Sequence, residues 1–234
     1  MVDNVQDIEL GTLTASGWDT SSAPTASQPN VYQAVTDPTV NSDTSIGVRI
    51  GDVWINTVSG IEFRNISNAD GASIWRPMPR NWQSGVAVSH TGNTDETALA
   101  TIALAAGAIG IGGVLQVYSR WTVTNSGNNK SCFTRFGASG AGVGGTLLDG
   151  AVVTTVLNLG RYVEVMNRAT AALQIGSANG GTGGWATQTT AWQTATINTA
   201  AASELVFTAD LANSGETITL ESYRVTLTRP DIGP

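Results

Sequence analysis

The sequence predicts an all-β protein: an N-terminal extended arm, a small β-meander, and then an antiparallel β-sandwich of jelly-roll-like character. Three observations carry this. From residue 47 onward, short runs of alternating apolar and polar residues follow one another, separated by glycine- and Asn/Asp-containing turns. No stretch has a convincing helical apolar period. Only 12% of the residues are charged, so the surface must be built largely from Ser, Thr, Asn, Gln and Gly.

Residues 1–46 read as the arm. Apolar residues are sparse, and turn formers cluster at Ser21-Ser22-Ala23-Pro24, Gln28-Pro29-Asn30 and Asp37-Pro38. Only Ile8 to Leu13 suggests a short strand. A segment of this composition does not bury enough of itself to fold alone. It is therefore expected to dock on a neighbouring chain, with Leu10, Leu13, Trp18, Val31 and Tyr32 as apolar anchors.

Residues 47–83 change character. Val48 to Asn56 is β-branched and aromatic, Val58-Ser59-Gly60 is a turn, and Ile61 and Phe63 then alternate with Glu62 and Arg64. A second turn at Asp70-Gly71 precedes Ser73-Ile74-Trp75. So small a meander needs further surface to be stable. That need points to a homo-oligomer.

Residues 84–234 supply the sandwich. In Gly113 to Thr124, Leu115, Val117, Trp121 and Val123 face one way, and Gln116, Tyr118, Arg120 and Thr122 the other. Glu204 to Leu211 sets Leu205, Phe207 and Leu211 opposite Glu204, Thr208 and Asp210. Asp149-Gly150 and Asn179-Gly180 read as hairpin turns. Asp95 to Ala106 could mimic a helix, but Thr97, Thr101 and Ile102 also suit a strand that ends in the glycine loop Gly107 to Gly113. Between Glu216 and Leu227 the apolar parity switches from Ile218 and Leu220 to Tyr223, Val225 and Leu227. One extra residue near Glu221-Ser222, a β-bulge, would keep both halves on one face.

The formal net charge of −7 and eleven scattered cations argue against nucleic acid, which needs a clustered basic surface. The longest apolar run, Ala103 to Gly113, is broken by four glycines and falls short of the ~20 residues of a membrane span. The first seven residues hold Asp3 and Asp7 and no basic group, unlike a secretory signal. Synthesis in a cytoplasm without signal-directed export is the expectation, and the lone Cys132 allows no internal disulfide.

Candidate chemistry is thin. Gly140 to Gly145 matches G-x-G-x-x-G, but a short strand at Thr146 to Leu148 follows where a phosphate-holding helix would have to start. Lys130 is the sole lysine, and it does not follow a phosphate loop. His90 is the sole histidine, with Ser89 and Asp95 nearby in sequence. No Gly-x-Ser-x-Gly elbow accompanies it, and it reads as a strand-end residue satisfied by water. One His and one Cys are too few for zinc. Asp95, Glu96, Asp149, Glu164, Asp210, Glu216 and Glu221 are the only material for paired-carboxylate hydrolysis. Their places at turns and on alternate strand faces read as solvated acids. No metal, nucleotide or other cofactor is expected; Asp37, Asp43 and Asp52 are where an oxygen-ligand site would be sought if a chelator lowered the melting temperature. Among the seven tryptophans, Trp54, Trp75 and Trp121 fall in strands and read as core or subunit contacts. Trp185 and Trp192 flank Ala186 to Thr190 beyond the loop Gly180 to Gly184, and are the candidate glycan-stacking pair, with burial at an interface as the plainer alternative.

Several of these segments together carry a resemblance. Thr91-Gly92-Asn93-Thr94-Asp95-Glu96-Thr97-Ala98-Leu99-Ala100-Thr101 is followed by Gly112-Gly113-Val114-Leu115, Trp121-Thr122-Val123-Thr124-Asn125 and Asn128-Asn129-Lys130. Leu211-Ala212-Asn213-Ser214-Gly215-Glu216-Thr217-Ile218-Thr219-Leu220-Glu221 closes the series. In this order they resemble a β-sandwich domain of tailed-bacteriophage virion proteins, which include fibres, spikes and head or tail appendages. Gly51-Asp52-Val53-Trp54-Ile55-Asn56, with Gly60 and Trp75, is similar to a hairpin module of phage fibres. The resemblance implies a non-enzymatic structural protein of fibre or decoration type, often a homotrimer. It would be made in the host cytoplasm and docked on capsid or tail proteins through the arm. The alternative is a receptor-binding protein that recognises host surface glycans through distal loops. The resemblance supplies no binding residues.

Overall fold

Alternation of the kind seen in Val114 to Val123 leaves one face of each strand to be covered, and the described residues answer with three sheets. In the computed structural model, which describes residues 28–176 and 193–234, strands hold 52% of the residues and helix 3%, so the all-β class holds.

The small sheet runs β1 (Val31–Ala34), β2 (Val53–Asn56), β3 (Glu62–Ser67), β4 (Ile74–Pro77), in that order. β2, β3 and β4 are the antiparallel meander. β1 pairs parallel to β2, with Tyr32 opposite Trp54. Val31–Ala34, expected within the extended arm, is thus a strand of this sheet, and residues 35–46 form the ordered connection that follows it. The reason is polar. The Asp52 carboxylate accepts the backbone N–H groups of Asn30 (2.8 Å) and Arg49 (2.9 Å), and Asp43 accepts those of Ser45 (2.8 Å) and Gly71 (2.7 Å). Both carboxylates are buried. These bonds order a segment that has too few apolar residues to order itself. The stretch after Thr228 completes the sheet, because Trp75 and Ile232 exchange two backbone hydrogen bonds of 2.8 Å.

The sandwich has two sheets. The larger contains β5 (Arg80–Ser84), β6 (Val88–Thr91), β8 (Val114–Val123), β11 (Asn158–Asn167), β12 (Gln174–Gly176), β13 (Gln193–Ala195) and β15 (Thr217–Thr228). Its order is β13-β12-β11-β8-β15-β5, and β6 also pairs with β15. β5, which the sequence placed in the meander, belongs here because Trp82 pairs with Val225 of β15. The smaller sheet has the order β10 (Thr146–Val153), β9 (Lys130–Ala138), β14 (Ser203–Leu211), β7 (Thr97–Leu104). Within Asp95 to Ala106, Thr97–Leu104 is therefore strand, not helix. Leu115, Val117, Trp121, Ile218, Leu220, Val225 and Leu227 of one sheet share a buried core with Ile102, Leu104, Phe136, Leu205 and Phe207 of the other. Trp121 meets Phe207 edge-on, with centroids 6.5 Å apart.

The parity switch in β15 is a bulge. Leu220 lies opposite Trp121 and Ser222 opposite Arg120, so Glu221 is the extra residue. Two expectations are corrected. Asp149-Gly150 is no hairpin turn but lies inside β10, where Leu148 is bulged and a Cβ on Gly150 would meet the Phe133 ring at 2.7 Å. The supposed polar face of β14 is not solvated: Glu204 and Thr208 are buried. β14 lies between β9 and β7, and the Gly140 to Gly145 turn covers its outer side by donating the Gly140 (2.9 Å) and Gly142 (2.6 Å) N–H groups to Glu204.

Candidate ligand-binding face

β8, β11 and β15 turn their polar positions outward on the large sheet, and pairing register sets which of these become neighbours. In one row across the strands, Tyr162 stands opposite Tyr118, Tyr118 opposite Arg224, and Arg224 opposite Gln83. The next row holds Gly160, Arg120 and Ser222. Bulky side chains thus stand beside a row in which two of three positions are small. The result is a hollow of about 670 Å³. The two tyrosine rings lie 4.5 Å apart, and the Arg224 guanidinium sits 4.9 Å from the Tyr118 ring centre. Tyr118 remains 41% exposed.

Gly160 sits inside a ten-residue strand, where glycine costs order and contributes no packing. A Cβ there would meet nothing within 4 Å, so no contact inside the molecule demands glycine. The residue keeps the floor of the hollow open. Carboxylates border this face without lining it. Glu164 accepts the Tyr162 hydroxyl and Gln116 Nε2 (2.8 Å), and Glu221 accepts the Thr122 hydroxyl. Burial, then the Glu164 carboxylate, pushes the Tyr162 hydroxyl pKa up, so it stays a proton donor at neutral pH.

Of the residues proposed from sequence, Leu10, Leu13, Trp18, Trp185 and Trp192 lie outside the described residues. Val31 is 59% exposed on the small sheet. Tyr32 stacks on Trp54 at 6.0 Å and hydrogen-bonds Asp52. Trp75 and Trp121 are core residues. The hollow was half legible, since Tyr118 and Arg120 already read as an outward face. Gly160, Tyr162, Ser222 and Arg224 were missed, and a glycine inside an alternating strand was the signal that could have found them.

The remaining chemistry-bearing residues serve the fold. His90 is buried in β6 rather than wetted at a strand end, because β6 lies along β15 with His90 opposite Ile218. Ser89 shares its hydroxyl hydrogen bond with Thr219 (2.8 Å). Three acids read as solvated are ion-paired instead: Glu96 with Arg135 (2.6 Å), Asp149 with Arg161, and Glu216 with Lys130 (3.5 Å). Lys130 is wholly buried, and Ser126 and the Asn128 carbonyl accept its protons at 2.7 Å each. Hydrogen bonds from Ser126 and Asn128 hold the Glu216 carboxyl below its usual pKa. Burial pushes the Glu96 pKa up, but the bonds from Arg135 and Thr208 outweigh it and the net shift is downward. Burial raises the Cys132 thiol to about 12, which leaves it unreactive. Among the described residues no group of three His, Cys, Asp or Glu stands close enough to hold a metal ion, and no helix is long and apolar enough to cross a membrane.

No family model and no curated protein sequence matches the chain. Solved structures that it resembles include a chain of infectious bursal disease virus, Gx strain, at TM-score 0.26 and 11% identity over 85% of this chain and 58% of the viral one. Lectin I of Ulex europaeus, solved with the methyl glycoside of α-L-fucose, gives TM-score 0.26 and 9% identity over 76% of this chain and 90% of the lectin. A putative sugar-binding protein of Bacteroides thetaiotaomicron gives 0.24 and 6% over 87% and 96%. The chain thus spans little more than half the length of the viral protein, and TM-scores of this size do not establish a shared fold.

Proposed function

We propose that the protein is a non-enzymatic structural component of a tailed-phage particle, of fibre or decoration type, which assembles as a homotrimer and docks on capsid or tail proteins through the residues that precede the small sheet. The observation that supports it is the layout of the segments behind the phage resemblance. Val53 to Asn56 and Trp75 lie in strands of the small sheet, with Gly51-Asp52 and Gly60 in the connections that flank β2. Thr97 to Thr101, Val114-Leu115, Trp121 to Val123 and Thr217 to Glu221 are strands of the one sandwich. The first group falls in the small sheet and the second in the sandwich, with β4 followed directly by β5 along the chain. The buried Lys130–Glu216 pair and the half-buried Asp149–Arg161 pair support a structural reading of acids that could otherwise suggest hydrolysis.

Immunogold labelling of purified particles, with light scattering on the isolated protein, tests this. The expected results are label at one particle site and a mass about three times 24.2 kDa. Deletion of residues 1–27 should leave a folded, soluble protein that no longer joins the particle; normal incorporation would place docking elsewhere. A second reading, recognition of host surface glycans, is favoured by the Tyr118–Gly160–Arg224 hollow on the sheet face.

A further inference from the structure

We infer that the hollow on the outer face of the large sheet binds a carboxylate-bearing sugar unit of a surface polysaccharide, with Arg120 and Arg224 as its cationic walls. The inference deepens the glycan-recognition reading by naming the class of sugar, and it relocates recognition from distal loops to a sheet face.

Three features of the lining select the ligand. First, among the described residues it is Gln83, serines, tyrosines, glycines and arginines, with no aliphatic side chain and no Asp or Glu. A protein partner would be met by apolar anchors filling a dry centre. Hydroxyl, amide and phenol groups around an open floor suit a ligand that carries a hydroxyl on nearly every carbon. Secondly, the charge is placed against the trend of the molecule. The chain has eleven cations against eighteen acids, and five of those cations are held in ion pairs. Yet Arg120 and Arg224, both exposed and neither in an ion pair among the described residues, border the same hollow. The bordering acids Glu164 and Glu221 are engaged by Tyr162, Gln116 and Thr122. A guanidinium presents a planar fork of N–H donors that fits a carboxylate in two parallel bonds. Thirdly, Gly160 gives up a side chain that the fold has room for. A sugar ring can therefore reach the sheet backbone between Tyr118, Tyr162 and Arg120.

Binding is measured on the full chain by saturation-transfer NMR and calorimetry. The acidic probes are tetragalacturonate and sialyllactose; the neutral controls are maltotetraose and lactose. The inference expects both acidic probes to bind more tightly than their neutral counterparts, by about tenfold or more, and to weaken as salt rises. Gly160→Val adds bulk where the structure has space, so it should keep the melting temperature and abolish binding. Arg120→Gln and Arg224→Gln, on exposed positions, should each cut acidic binding about tenfold and weaken any neutral binding by a smaller factor. Equal binding of neutral and acidic sugars would overturn the acidic class but leave glycan recognition standing. Binding unaffected by all three variants would overturn the site, and no binding of any probe would overturn both. Where Gly160→Val fails to fold, the two arginine variants decide the matter alone.

Discussion

In the sandwich, Trp121 meets Phe207 between two sheets whose inner faces are mainly apolar. In the small sheet, Phe63 and Trp75 are just as buried, but their cover arrives from far along the chain. The Arg229 guanidinium stands 5.3 Å from the Phe63 ring and pairs with Asp37, and Ile232 hydrogen-bonds Trp75. Strand alternation suffices to build the first region. The second depends on a few non-local polar contacts and on buried carboxylates that hold backbone N–H groups. The sandwich should therefore tolerate loss of the tail, and the small sheet should not tolerate loss of the sandwich.

The most severe way to break the first region is to delete Glu221. Without the bulge residue, one half of β15 must present its apolar side chains to solvent, whichever register it chooses. Since β15 pairs with β8, β5 and β6, the expected outcome is no cooperative unfolding transition by circular dichroism for any part of the chain. Phe207→Ala is gentler. It opens a cavity between the sheets and should cost about 3–5 kcal/mol in urea unfolding, with both regions lost together.

Removing residues 230–234 separates the regions. It takes away Ile232 with its two hydrogen bonds to Trp75 and the exposed Arg76–Asp231 pair. Two such bonds contribute about 1–3 kcal/mol together. Amide exchange should accelerate in β2, β3 and β4 and stay slow in β8 and β14. Equal loosening of both would show that the two regions unfold as one unit.

The smallest effect concerns acid. Glu96 and Glu216, both in the sandwich, have pKa values held below the ordinary carboxylate range. A depressed folded-state pKa stabilises above the unfolded value, about 4.3, and that stability is lost as pH falls through the folded value. The urea midpoint of the sandwich should thus decline below about pH 5, and Glu96→Gln should flatten part of the slope. A midpoint that rises on acidification would contradict the ion-pair assignments.

How far the sequence could be read follows the same division. Alternation in Val114 to Val123, the parity switch at Glu221 and the turn chemistry of the meander were legible, because each is a property of residues next to one another. The pairing of Val31–Ala34 into the small sheet and the order of residues 35–46 were not, since their cause is Asp52 and Asp43 accepting N–H groups, a pattern with no apolar period. Nor was the strand character of Asp149-Gly150, a dipeptide with ordinary turn chemistry that Arg161 and Phe133 hold inside β10. The hollow lies between the two cases. Tyr118 and Arg120 could be placed on the outward face from β8 alone, but Gly160 and Arg224 become their neighbours only through strand register.

By itself, then, the sequence determined the all-β class, the inward face of β8 and the need for a bulge in β15. These depend on period and parity, which the backbone imposes locally. Only the tertiary structure decided that Lys130 and His90 are buried, that Glu204 fills the glycine turn, and which side chains surround Gly160. Those outcomes depend on which strands become neighbours. Tertiary packing joins residues from 12 positions apart, as in the Asp149–Arg161 ion pair, to 192 apart, as in Asp37–Arg229, and no local pattern encodes a pairing over such distances.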